Sequence, residues 1–174
     1  MNKAAHYQYY VEGEDEKKLL SVLKTEMGLI VPGKIDKLNV VQELLTQLRL
    51  MQLKNGTTVI LVFDTDAGNV EILKENISIL RRSCIVKDVI CIPQVNNLED
   101  ELIRSCKINH IRELTGSKSN KDYKHCLIVE KNLKEKLLRH KFDIDKFWNQ
   151  NPTNCYSKIE NEAKRIKRKK SIVT

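Results

Sequence analysis

Three groups of acidic side chains in this sequence stand where an apolar run ends. Glu12 closes "HYQYYV" and is followed by Gly13, which permits a tight turn or a close backbone approach. Asp64 and Asp66 close "TTVILVF" and are followed by Ala67-Gly68. Glu99, Asp100 and Glu101 come after "VKDVICI" and the short loop "PQVNNL". Acids two apart at the end of an extended run point to one side. Glu16, four residues after Glu12, opens a helical pattern, where the helix dipole favours an acid. Carboxylates brought together repel unless positive charge lies between them, and hard divalent cations such as Mg²⁺ or Mn²⁺ take oxygen ligands of this kind. Taken singly, each group also reads as an ordinary helix cap or polar turn; it is the combination that points to a cation site.

The elements that would position these acids alternate between strand and helix. Residues 6–12 form a strand pattern and 15–26 a helix with Leu19, Leu20, Val22 and Leu23 inward. Residues 34–39 suggest a short strand after Pro32-Gly33. Residues 40–53 carry Val40, Val41, Leu44, Leu45, Leu48 and Met51 at helical spacing. The run 57–63 is apolar and β-branched almost throughout, as in a strand buried on both faces. Residues 69–82 return to a helical pattern, and 86–92 form a strand that Pro93 is expected to stop. Such alternation argues for βαβ units and an α/β fold: a mostly parallel sheet flanked by helices, with ligands beyond the carboxyl ends of its strands. From about residue 107 the pattern changes. A polar loop (115–122), an amphipathic helix (129–140) and a last basic helix beyond Asn151-Pro152 suggest a C-terminal helical cap, so that residues 1–110 form the α/β core and 111–174 the extension.

Bulk properties narrow the classes. The 174 residues are 41% apolar and 31% charged, with six Gly and three Pro, a globular composition. No run approaches the roughly 18 apolar residues of a membrane span, and no signal-like core follows Met1, so a cytoplasmic protein without a membrane partner is expected. Five cysteines form no CxxC pair and are expected to be buried, reduced thiols. Of the net charge of +8, six positive charges fall within seven residues: Lys164, Arg165, Lys167, Arg168, Lys169 and Lys170. That tail suits a phosphate polyanion, or equally a solvated helix end.

"YYVEGEDEKKLL" followed by "VILVFDTDAGN" resembles the Toprim domain of topoisomerases, DnaG-type primases and OLD-family nucleases, over roughly residues 6–106. The resemblance implies a Rossmann-like fold in which Glu12 takes part in acid–base chemistry or metal binding. It also implies that Asp64 and Asp66 ligate Mg²⁺ or Mn²⁺, one or two ions, with Glu16 and Glu99 as further acidic positions. Nothing here provides a topoisomerase's separate nucleophilic-tyrosine domain, and Tyr7, Tyr9 and Tyr10 are explained by packing in the first strand. A primase's zinc module is missing too, since His110, His125 and His140 are scattered. No GxxxxGK[ST] occurs, so the ATPase that accompanies OLD nucleases would be a separate chain.

What remains is similar to the small standalone, RloB-like Toprim nucleases of ribosomal-RNA processing and phage defence. It implies metal-dependent hydrolysis of DNA or RNA phosphodiesters, with Lys124, or its neighbour Lys121, at the scissile phosphate. The expected partners are nucleic acid, held by the basic tail, and a separate ATPase or regulatory subunit; self-association is left open. Two other readings stand beside it. One is a non-catalytic module binding metal and nucleic acid with a partner subunit. The other is a phosphotransferase or phosphatase using an aspartyl nucleophile from "FDTDAG".

Overall fold

The computed structural model describes residues 5–168. Four strands, β1 (His6–Val11), β2 (Lys34–Lys37), β3 (Thr57–Asp64) and β4 (Val86–Gln94), form one sheet in the order β2-β1-β3-β4, every pair parallel. Among the described residues seven α-helices accompany them: α1 (Glu14–Ser21), α2 (Gln47–Met51), α3 (Val70–Arg82), α4 (Leu98–Ser105), α5 (Arg112–Thr115), α6 (Tyr123–Val129) and α7 (Leu133–Arg139). A π-helical turn, Val22–Glu26, extends α1, and a 3₁₀ turn, Ala163–Arg165, lies near the end. The protein is an α/β structure with an all-parallel, Rossmann-like sheet.

Alternation along the strands builds two cores. Tyr9, Val11, Ile60, Val62, Ile90 and Ile92 face one side, against Leu19, Leu20 and Leu23 of α1 and its π turn, Leu98 and Leu102 of α4, and Phe147 and Trp148. Tyr10, Val59, Leu61, Phe63, Val89 and Cys91 face the other, against Leu73, Ile77 and Leu80 of α3 and Tyr156. Residues of the C-terminal segment, Leu114, Leu137, Ala163 and Ile166 among them, belong to the first of these cores together with β1 and β3. Tyr9 and Tyr10 are buried, and the Tyr9 hydroxyl donates to Val31 O at 2.7 Å, so packing accounts for both rings.

Four local expectations are corrected by tertiary contacts. Residues 40–53 do not form one helix. The buried Asn76 of α3 donates to Val40 O (2.9 Å) and Glu43 O (2.8 Å) and accepts from Leu45 N–H (2.6 Å), replacing the bonds a helix would make. Only Gln47–Met51 is helical, Val40, Val41 and Leu45 are buried, and Leu44, Leu48 and Met51 are exposed.

Pro93 does not stop the last strand, which runs on to Gln94 with Pro93 opposite Phe63. β4 is an edge strand, and Cys91 N–H points outward to Glu162 Oε2 (3.1 Å). Pro93, two residues on, has the same outward orientation, so the ladder to β3 needs no donor from it.

The helix expected over 129–140 is realised as α7, Leu133–Arg139, because α6 ends at Val129 and the chain breaks at Glu130–Asn132. There the Glu130 carboxylate accepts from Asn132 N–H and pairs with Lys136, whose ammonium also reaches Thr115 O at 2.7 Å. Among the described residues the last basic helix is absent. Its backbone is spent elsewhere: Glu162 N–H bonds Cys91 O (2.9 Å), Arg168 N–H bonds Leu29 O (2.8 Å), and Ile166 O accepts from Val31 N–H (2.9 Å). Of the cysteines, Cys91 and Cys106 are buried, Cys126 is half-buried, and Cys84 and Cys155 are exposed rather than buried; all five are free.

Candidate functional site

Successive connections leave β1 and β3 in opposite directions across the sheet, one toward β2 and the other toward β4. The gap between β1 and β3 is therefore the topological switch point, where an open parallel sheet leaves a crevice at its carboxyl end. Glu12 follows β1 directly and Asp64 ends β3, so both line that crevice. The first turn of α1 adds Asp15 and Glu16, the first turn of α4 adds Glu99, and α6 supplies Lys124.

The loop after β3 is stitched in place from three sides. Thr65 N–H and Asp66 N–H donate to Asn96 O at 2.9 and 3.1 Å, while Thr65 Oγ1 donates to Gln94 O at 2.9 Å. Asn154 Nδ2 bonds Thr65 O (2.7 Å) and the Tyr156 hydroxyl bonds Ala67 O (2.9 Å). Gly68 sits at φ +82°, where a Cβ would lie 2.3 Å from Val41 Cγ2, so only glycine fits the turn. At the first strand's end, Gly13 N–H donates to Glu16 Oε2 at 2.8 Å, and a Cβ on Gly13 would stand 2.6 Å from Asp15 Oδ1. Gly13 thus lets the α1 acids fold back against Glu12.

Asp64 and Asp66 do not continue one extended face, because the strand ends at Asp64. Asp64 is buried and accepts from Gln94 Nε2 at 2.7 Å; Asp66 is exposed and accepts from Asn97 Nδ2 at 3.0 Å. Gln94 is itself fully buried, and its Oε1 accepts from the Trp148 indole N–H at 3.1 Å. A chain of two hydrogen bonds therefore ties Asp64 to the C-terminal segment.

The electrostatics are those of crowded acids. Burial, followed by the charges of Asp15 and Asp64, pushes Glu16 up to about 9. Burial, followed by the Glu12 charge, pushes Asp64 up to about 8, against the pull of the Gln94 bond. Burial also raises Glu12, where Asp66 and Asp15 add to the rise and Lys124 opposes it. Lys124 Nζ stands 3.6 Å from both Asp15 Oδ2 and Glu99 Oε1. Partial burial lowers its pKa, but the surrounding carboxylates, Asp15 and Glu99 first, outweigh that and leave it raised. Two buried polar atoms at this point lack hydrogen-bond partners among the described residues: Asp15 Oδ2 and the Tyr123 hydroxyl.

Glu12, Glu16, Asp64, Asp66, Glu99 and Lys124 thus share one electrostatic environment, as their mutual pKa effects and ion pairs record. Among the described residues, no three Asp, Glu, His or Cys side chains are gathered in a metal-holding group. The donor set is nonetheless all carboxylate oxygen, under mutual repulsion, and includes a buried oxygen, Asp15 Oδ2, that makes no hydrogen bond and has only the 3.6 Å ion pair to Lys124, which suits a hard divalent cation. Lys121 is exposed and makes no ion pair among the described residues, whereas Lys124 enters the crevice.

Of the basic residues near the C-terminus, Arg165 is spent on Asp88 and Glu162. Lys164, Lys167 and Arg168 are placed away from the carboxylates, beside residues 29–31, which precede β2. Lys169 and Lys170 lie outside the described residues. Sequence reasoning took Asp15 for helix capping and passed over Gln94 and Trp148. The acidic triplet at 14–16 held a signal for Asp15, since helix phase with Leu19 and Leu20 turns Asp15 and Glu16 inward and leaves Glu14 exposed. The pairing of Gln94 with Asp64 depends on strand register alone.

Comparison with protein-family models, curated proteins and solved structures found no match. The fold defines the class, an α/β protein with a parallel Rossmann-like sheet, and the crevice between β1 and β3 defines where its chemistry is to be sought.

Proposed function

We propose that this chain is a Mg²⁺- or Mn²⁺-dependent nuclease that hydrolyses phosphodiester bonds at the β1–β3 crevice. One observation carries the reading: Glu12, Glu16 and Asp64 meet at the switch point with pKa values all forced upward, and Lys124 is the cation set among them. So much uncompensated acid is costly to a fold and calls for a positively charged ligand. The Toprim resemblance of "VEG" and "FDTDAG" supports the same assignment.

Glu12, Glu16, Asp64, Asp66 and Glu99 would hold the cation, with Asp15 as a further oxygen donor. A bound divalent ion supplies Lewis-acid polarisation of a phosphate and an activated water. The chain's own groups do the rest. Lys124, exposed at its tip, is placed to meet a non-bridging phosphate oxygen. Glu12, half-buried with a raised pKa, can hold or release a proton beside it. Gln94, braced by Trp148, orients Asp64.

End-labelled tRNA, single-stranded DNA and plasmid are the substrates to offer, with Mg²⁺, Mn²⁺ or EDTA, beside the Asp64→Ala variant. Cleavage that needs both the cation and Asp64 is the expected result. Cleavage unaffected by Asp64→Ala would refute the site. Cation binding without turnover on any of these substrates would favour the non-catalytic module instead. The cellular role in this reading, phage defence or RNA processing, rests on the same resemblance, and the cytoplasmic location proposed with it rests on the sequence having no apolar run of membrane-spanning length. The structure's own contribution is coarser: among the described residues no helix is long and apolar enough to cross a membrane.

A further inference from the structure

A cavity of about 920 Å³ opens away from the carboxylate crevice, between the end of the π turn, the 141–145 loop and residues 164–168. Its floor is apolar, with Met27, Phe142 and Ile144 half-buried and facing it. Around it stand four cations, Lys141, Lys164, Lys167 and Arg168, none of which is in an ion pair among the described residues. Lys167 is held with its ammonium against Phe147 O, half-buried, and the cost of that burial outweighs the pull of Asp145, Glu101 and Asp143, so its pKa is lowered. Two acids, Asp143 and Asp145, also line the cavity.

We infer that this groove is a binding site for single-stranded nucleic acid, with an unpaired base on the Phe142 floor and the flanking phosphates on Lys164, Lys167 and Arg168. Three features select that partner. An excess of unpaired cations suits a polyanion. An aromatic ring among aliphatic side chains in a concavity accepts a flat base, which a duplex cannot offer without unstacking. The carboxylates of Asp143 and Asp145 inside the groove can accept hydrogen bonds from exocyclic amino groups of bases, which an acidic peptide does not carry. A flat lipid surface would not reach such a floor. From the proposed function the inference takes only that the partner is nucleic acid; it adds a strand-holding site separate from the cleaving one and a preference for unpaired strands.

The test is fluorescence anisotropy in EDTA, where nothing is cut, using a labelled single strand, the same strand with abasic sites, a duplex of equal length and a mononucleotide. The single strand should bind about ten-fold or more tightly than the abasic strand or the duplex. The Lys164→Glu/Arg168→Glu double variant, altered at exposed side chains, should lose binding by a similar factor and keep its melting temperature. Phe142→Leu, which keeps the floor apolar, should weaken the normal strand but not the abasic one. Equal affinity for the four ligands, binding by the mononucleotide alone, no binding at all, or a double variant that binds like the wild type would each overturn the inference. Cleavage read separately keeps the two ideas apart. A protein that cuts with a dispensable groove leaves the nuclease standing, and one that binds strands in the groove but never cuts leaves only the groove.

Discussion

Replacing Asp64 by Asn is expected to stabilise the cation-free protein, and to do so more at alkaline than at acid pH. Burial, then the Glu12 charge, lifts the Asp64 carboxyl from 3.8 to about 8. A carboxyl with a higher pKa folded than unfolded binds more protons in the native chain, so stability falls as pH rises between the two values. Its contribution is fully present below the unfolded pKa and is lost by the time pH passes the folded one. Between about pH 5.5 and pH 8 this one group withdraws about 3 kcal/mol, and Glu16, raised to about 9, acts in the same direction. Asn keeps the size of the side chain, and its amide oxygen can still accept from Gln94 Nε2, now 2.7 Å from Asp64 Oδ1. For a chain of this length the excess stabilisation at the higher pH corresponds to roughly 6–12 °C in Tm. Thermal melts of both proteins in EDTA at the two pH values measure it directly. Adding Mg²⁺ should then raise the Tm of the wild type more than that of the variant, because a bound cation neutralises the repulsion that Asn has already removed. A variant that melts lower than the wild type at pH 8, or by the same increment at both pH values, would refute the crowding of carboxylates on which the site rests.

Other residues test the frame around the site. Gln94→Met removes the donor to Asp64 and strands the buried Trp148 indole N–H, and should cost roughly 1–3 kcal/mol in urea unfolding. The same change should shift the pH-dependent loss of stability to higher pH, since the Gln94 bond is what holds Asp64 down. Glu101→Leu removes a fully buried carboxylate that accepts from Val95 N–H (3.0 Å) and Trp148 N–H (2.9 Å) and pairs with Arg104 (2.8 Å). Roughly 3 kcal/mol or more should be lost in a chemical melt, because Arg104 and two amides are left without their partner. Gly68→Ala meets both a left-handed φ and Val41, and should cost at least about 1–3 kcal/mol, read by circular dichroism on heating.

The acids of "NNLEDEL" mark the limit of what could be read without coordinates. Glu99, Asp100 and Glu101 are three successive carboxylates with three fates: Glu99 meets Lys124, Asp100 accepts from the exposed Asn96 amide, and Glu101 is sealed in the interior. Helix phase sets Glu101 on the buried face with Leu98 and Leu102, but nothing local names the distant group that its carboxylate meets. The partner that claims Glu101 is Trp148, 47 residues further on. The misread helix over 40–53 has the same cause, since Asn76 reaches back from α3 to take its backbone bonds.

What the amino-acid sequence alone determined is the set of properties written in short windows. The buried β-branched run of β3, the alternation of strands and helices, the parallel α/β class, and the acids and glycines at strand ends all follow from periodicities and turn chemistry spanning a few residues. Tertiary structure alone decided the strand order β2-β1-β3-β4, and with it the switch point that brings Glu12 to Asp64. It also decided the Trp148–Gln94–Asp64 chain and the spending of Arg165 on Asp88 and Glu162. Those outcomes depend on which distant surfaces compete to bury apolar area and satisfy buried polar groups, and that competition is settled only when the whole chain has packed.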